Sequence, residues 1–152
     1  MGYFLNNGCY ILGPTGPTGT VIDNNYAFFQ NQNQTVTSET LIPLNLQFSG
    51  GTPQITVSDT TITLPAPGTY YVSFSLTGRF GVNQNGTVIP IINGSIQDRY
   101  ASTNNTNSNN PDVTIADGFL VQSPATVRFY YVGSTDVTRV NFFSSIFKVS
   151  NS

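Results

Sequence analysis

The chain has 152 residues, a net charge of −2, one cysteine and no histidine, and only 8% of its residues are charged. The lack of histidine removes the commonest general base and the commonest metal ligand together, and a lone cysteine supports neither an intrachain disulfide nor a thiolate cage. Arg79, Arg99, Arg128, Arg139 and Lys148 form no stripe able to track phosphates, the carboxylates lie far apart, and G-x-S-x-G, P-loop and EF-hand patterns are absent. No catalytic residue, metal, cofactor or nucleic-acid partner is therefore expected.

Residues 1–12, MGYFLNNGCYIL, are apolar but interrupted. Asn6-Asn7-Gly8 separates Tyr3, Phe4 and Leu5 from Cys9, Tyr10, Ile11 and Leu12. Neither half can cross a bilayer, and no continuous apolar region of a secretory signal is present. The segment reads as an apolar docking peptide, the alternative being a disordered tail. Within it Cys9 is either a small buried hydrophobe or half of an interchain disulfide.

Gly13-Pro14-Thr15-Gly16-Pro17-Thr18-Gly19 follows, with glycine at every third position. Only glycine fits the axis of a collagen triple helix, and proline pre-sets polyproline II, so the run asks for two further copies of the same chain. At roughly 3 Å per residue it would extend only about 20 Å. It is too short to hold three chains in register alone, and a Gly/Pro linker is the bland alternative. Residues 20–22 link it to the rest.

From residue 23 to 152 the pattern is that of strands. No window carries a convincing helical period, and apolar residues alternate with polar ones. Leu44, Leu46 and Phe48 share one side. Ile55 and Val57 meet Ile62 and Leu64 across a turn at Ser58-Asp59-Thr60. Tyr70, Val72, Phe74 and Leu76 face one way, and Tyr71, Ser73, Ser75 and Thr77 the other. Val127, Phe129 and Tyr131 repeat the pattern, as do Phe143, Ser145, Phe147 and Val149. Turns are expected at Ser49-Gly50-Gly51, Pro67-Gly68, Asn85-Gly86, Asn93-Gly94 and Gly133-Ser134, and an exposed loop over 104–111. Short strands so punctuated indicate an all-β, antiparallel sandwich.

Collagen triplets before such a domain resemble the tumour-necrosis-factor/complement-type jelly roll, the trimeric head that follows collagen stalks. Ile62-Thr63-Leu64-Pro65-Ala66-Pro67-Gly68-Thr69-Tyr70-Tyr71-Val72-Ser73-Phe74 looks like that family's strand, Pro-Gly turn and Tyr-rich strand. Tyr26-Ala27-Phe28-Phe29 resembles its first strand, and Phe142-Phe143-Ser144-Ser145-Ile146-Phe147-Lys148-Val149 its last, which lies near the trimer axis. The resemblance spans roughly 23–150. It implies a homotrimer with Phe143 and Phe147, and secondarily Tyr71 and Tyr130, at the subunit interface. The Gly-Pro-Thr triplets and missing signal further resemble collagen-like proteins of the bacterial spore surface (exosporium).

The function expected on these grounds is that of a structural, self-assembling subunit of a spore-surface fibre or appendage. Homotrimers would stack head to tail through the N-terminal peptide, a heterologous contact that does not close. The partners would be the chain itself and other spore-surface proteins, with no membrane or nucleic acid. The alternative is a trimeric adhesin or lectin-like head, docked on a spore layer by its N-terminus.

Overall fold

The computed structural model describes the backbone of residues 2–4 and 10–12, and residues 24–151. Leu5, Cys9, the collagen-like residues Gly13, Pro14, Gly16, Pro17 and Gly19, and the linker 20–22 lie outside the described residues. Strand β1 (Gly2–Phe4) pairs antiparallel with β2 (Tyr10–Leu12), with Gly2 opposite Leu12, Tyr3 opposite Ile11 and Phe4 opposite Tyr10. The two apolar halves of the N-terminal peptide thus pair with each other.

The remaining strands are β3 (Tyr26–Val36), β4 (Thr40–Leu41), β5 (Leu46–Gly50), β6 (Thr56–Ser58), β7 (Thr61–Arg79), β8 (Asn85–Ile92), β9 (Ser95–Ile96), β10 (Ser102–Asn105), β11 (Asp112–Gly133) and β12 (Val137–Ser150). A 3-10 turn, Asp98–Tyr100, lies between β9 and β10. All pairings are antiparallel, in the order β10-β8-β11-β7-β12-β3-β5. The path is continuous because β7 and β11 are long, bend together, and serve two layers in turn. Residues 69–79 of β7 and 112–122 of β11 lie with β12, β3 and β5 in the first layer. Residues 61–64 and 125–133 of the same strands lie with β6, β8 and β10 in the second.

Pro67-Gly68 marks that bend and is not a hairpin turn. Gly68 has φ of +139°, and a Cβ there would stand 2.2 Å from the Ser150 carbonyl oxygen, so only glycine fits. The register of β11 shifts between Ser123 and Ala125, where it follows β7 around the corner.

Between the layers sits the core that the alternation predicts. Tyr70, Val72, Phe74 and Leu76 are buried from the first layer, and Val127, Phe129 and Tyr131 from the second. Phe74 meets Phe129 across the gap with ring centroids 5.2 Å apart, and Phe129 meets Phe142 at 5.1 Å. Fully burying each such ring contributes about 1.5–3 kcal/mol. The Tyr131 hydroxyl donates to the Thr135 carbonyl at 2.9 Å. Burial, and secondarily Asp136, push its pKa up to about 12.

Three local expectations are corrected. Asn85-Gly86 opens β8 instead of turning. The turn lies earlier, with positive φ at Gly81 and Asn83, and Gly86 is required because a Cβ would lie 2.1 Å from the buried Phe80 ring. The 104–111 tract is only partly loop. Asn104 and Asn105 pair with β8, and buried Thr106 donates to the Gly81 carbonyl at 2.6 Å while accepting from the Gln84 amide at 2.9 Å. Phe48 does not share the burial of Leu44. It lies on edge strand β5 and is 58% exposed, because the register of β5 against β3 shifts between Phe28 and Phe29.

Candidate association surface

Inward positions of the first layer form the core, so the outward positions on the same strands define its other face. In β12, Phe142, Ser144, Ile146 and Lys148 point in, which leaves Phe143, Ser145, Phe147 and Val149 outside. In β3, Ala27 and Phe29 are buried, leaving Tyr26 and Phe28 outside. Register then aligns these residues into rows across the strands. Leu120, Tyr71, Phe147, Tyr26 and Gly50 form one; Gly118, Ser73, Ser145, Phe28 and Phe48 form the next; Ala116, Ser75, Phe143 and Gln30 form a third.

These rows carry no charged side chain, and their apolar members are open to solvent. Leu120 is 56% exposed, Phe147 47% and Tyr26 45%. Ring contacts tie them together: Tyr71 to Phe147 at 5.3 Å, Phe28 to Phe48 at 5.3 Å, and Phe28 to Phe143 at 6.2 Å. Such aromatic pairs add about 0.5–1.5 kcal/mol beyond their buried area. Relief is low. Ser73 donates back to the Ser145 carbonyl at 3.3 Å, so its hydroxyl does not project. Two glycines serve as platforms for tyrosine rings, Gly50 under Tyr26 and Gly118 under Tyr71, an arrangement that covers bare backbone at thin places in a sheet. At the outward positions of β7 and β11 the first charge is the exposed pair Arg79–Asp112 at 4.0 Å, beyond the Thr77–Thr114 row; Asp117 has the other, inward parity, opposite Phe74.

Of the residues the sequence singled out, Tyr71, Phe143 and Phe147 are thus brought onto one face. Tyr130 is not among them. It lies on the outward side of the second layer, opposite Ile89 of β8 and Leu41 of β4. Tyr26, Phe28, Phe48 and Leu120 join the face without having been singled out for it. Their apolar character was readable, but their alignment depends on pairings between distant strands. Tyr3, Phe4, Tyr10, Ile11 and Leu12 lie in the β1–β2 pair. Among the described residues no group of three His, Cys, Asp or Glu side chains could hold a metal ion, and no helix is long and apolar enough to cross a membrane.

No family model matches the sequence, and no curated protein is similar to it. Solved structures are similar in fold. Murine APRIL at pH 5.0 superposes with a TM-score of 0.64 at 9% identity, over 83% of this chain and 99% of that one. The PRD1 vertex protein P5 gives 0.63 at 14% identity, over 85% and 99%. The globular domain of zebrafish complement 1qA protein gives 0.60 at 11% identity, over 82% and 97%. The chain folds as a jelly roll of the tumour-necrosis-factor and complement type. Each of the three structures is covered almost whole, so the likeness extends over both layers and the strands that bend between them. At these identities it concerns the fold alone.

Proposed function

We propose that this chain is a structural subunit whose heads form a homotrimer through the aromatic face of the first layer. The observation that carries the reading is the set of uncharged rows centred on Tyr71 and Phe147. A contiguous apolar patch of this kind on a protein with few charges is an aggregation liability unless another surface covers it. A second and third copy of the same face, arranged around an axis, would cover it symmetrically. The collagen-like run Gly13–Gly19 supports the number three, because a triple helix needs that many chains.

In the same reading the trimers stack head to tail into a fibre on the bacterial spore surface, with the β1–β2 peptide as the connecting element and no catalytic role. The pairing of Gly2–Phe4 with Tyr10–Leu12 supports a compact plug or an added strand pair at the receiving trimer over a loose thread. Other spore-surface proteins would contact the fibre at its ends. Sedimentation of the full chain, with negative-stain microscopy of the same sample, tests both levels. A particle of three times the 16.4 kDa chain mass, further assembled into filaments, is expected. A persistent monomer overturns the trimer, and isolated trimers overturn the fibre.

A further inference from the structure

An open cleft of about 540 Å³ lies where the end of β7 meets the start of β11, between β10 and β12. Its volume is within the roughly 300–1,000 Å³ of small-molecule sites. Its walls are polar: Thr77, Arg79, Asn105, Asp112, Thr114 and Arg139 supply most of the groups that matter. The chain enters the head at the opposite end, where the Asn25 carbonyl accepts from the Lys148 amide and Ser150 pairs with Thr69. Between that end and the cleft runs β7 from Thr69 to Arg79, about 33 Å at roughly 3.3 Å per residue. The cleft therefore lies at the end of the head opposite Asn25, where β3 begins.

We infer that this distal cleft binds a carboxylate-bearing saccharide, with Arg139 as the principal anion contact. Arg79 is engaged with Asp112 at 4.0 Å, which leaves the guanidinium of Arg139 without an ion-pair or hydrogen-bond partner among the described residues and the site with a net positive charge. A planar guanidinium matches a carboxylate bidentately.

The backbone at Arg139 is an independent sign. It has φ of +53° and lies in a bulge, the register of β12 against β3 shifting between Val137 and Val140. A non-glycine residue in the left-handed region is held there by its surroundings, and bulges characteristically re-aim a side chain at a binding site. The rest of the lining suits hydroxyls. The Asn104 side-chain amide donates to the Thr114 carbonyl at 2.8 Å and Asn110 Oδ1 accepts from the Asp112 backbone amide at 3.2 Å, fixing the rim. Thr114 and the side chain of Asn105 remain to donate and accept, while Thr77, whose hydroxyl donates to the Asn141 carbonyl at 3.5 Å, remains to accept. Apolar lining is confined to Gly78 and Val113, which gives no socket for a large apolar side chain of a peptide.

The inference does not depend on how the heads assemble, and titration calorimetry of the full chain tests it. Trigalacturonate is expected to bind saturably at low ionic strength, and its methyl ester at least about tenfold more weakly, since the ester lacks the anion. Arg139→Gly is the informative variant, because glycine accepts this φ without strain and takes away the guanidinium together with its exposed stem. It should lose at least about tenfold in affinity with an unchanged or higher Tm. Absence of saturable binding, equal binding of acid and ester, or full affinity in Arg139→Gly each overturns the inference. Tighter binding of tetraglutamate than of trigalacturonate overturns the saccharide assignment. Sedimentation of the same samples reports assembly separately.

Discussion

Tyr71 lies across Gly118, its hydroxyl oxygen only 2.1 Å from the position a Cβ on that glycine would occupy. Gly118 belongs to β11 and Tyr71 to β7, and they sit in adjacent rows of the outward face. The bare backbone of one residue sets how flat the ring of the other can lie. Gly118→Ala should therefore lift Tyr71 out of the plane while leaving the core untouched. Because the displaced atoms are the far end of a half-buried side chain, the folded head should lose less than about 1 kcal/mol. The trimer should dissociate at higher protein concentration, as read by sedimentation over a dilution series. An unaltered dissociation curve would mean that Tyr71 takes no part in association.

The two sides of the sandwich make opposite forecasts. Phe147 is 47% exposed and in ring contact with Tyr71, so Phe147→Ser should hardly alter the fold of a single head. Covering such a ring on assembly contributes about 1 kcal/mol or more per copy, hence about 3 kcal/mol per trimer. Tyr130→Ser, on the outward side of the second layer, should leave assembly intact. Mass photometry at nanomolar concentration distinguishes the two, and a reversal of their effects would assign association to the other layer.

Alkaline pH should loosen the head through Tyr131. Its folded pKa of about 12 lies above the ordinary value near 10, so the folded state holds its proton more tightly than the unfolded one. The stability this contributes is fully present below about pH 10 and is lost as pH rises towards 12, by up to about 2–3 kcal/mol. Tyr131→Phe should flatten that part of the profile, at a cost of about 1 kcal/mol for the hydrogen bond to the Thr135 carbonyl. Urea unfolding at pH 8, 10 and 11.5 would expose the difference, and parallel profiles for the two proteins would exclude this origin.

Deleting residues 2–12 should abolish filaments and leave soluble trimers, since it removes both strands of the β1–β2 pair. The heads keep their own sheet and their own core, so their thermal unfolding should be unchanged. Electron microscopy of the deletion variant decides the matter. Filaments of normal length would put the longitudinal contact between heads.

What sequence could show followed from periodicity. Tyr70, Val72, Phe74 and Leu76 declared their common face because a strand alternates, and so did Val127, Phe129 and Tyr131. Chemistry alone could not place Tyr130, whose side of the sandwich depends on which half of a bent strand it occupies. Gly86 and Gly68 read as turn residues, yet in the fold one makes room for Phe80 and the other lets β7 change layers. A glycine needed for close approach and a glycine needed for reversal look the same in a sequence. Phe48 was misread because β5 is an edge strand whose register shifts. The distal cleft was not legible at all, since Arg79, Asp112 and Arg139 come from three strands and gave no local pattern.

The first strand of the head is completed by the last. Tyr26, Ala27 and Phe28 find their partners on Phe147, Ile146 and Ser145, so β3 has nothing to pair with on that side until the chain is nearly finished. Contacts so distant in sequence close slowly, since much of the chain must be ordered before they form. The same arrangement acts in the reverse direction. Parting β3 from β12 strips β3 and its neighbour β5 from the first layer and bares one edge of β12, the strand that covers β7. In the proposed fibre, endurance would then rest on the height of a kinetic barrier more than on the depth of an equilibrium.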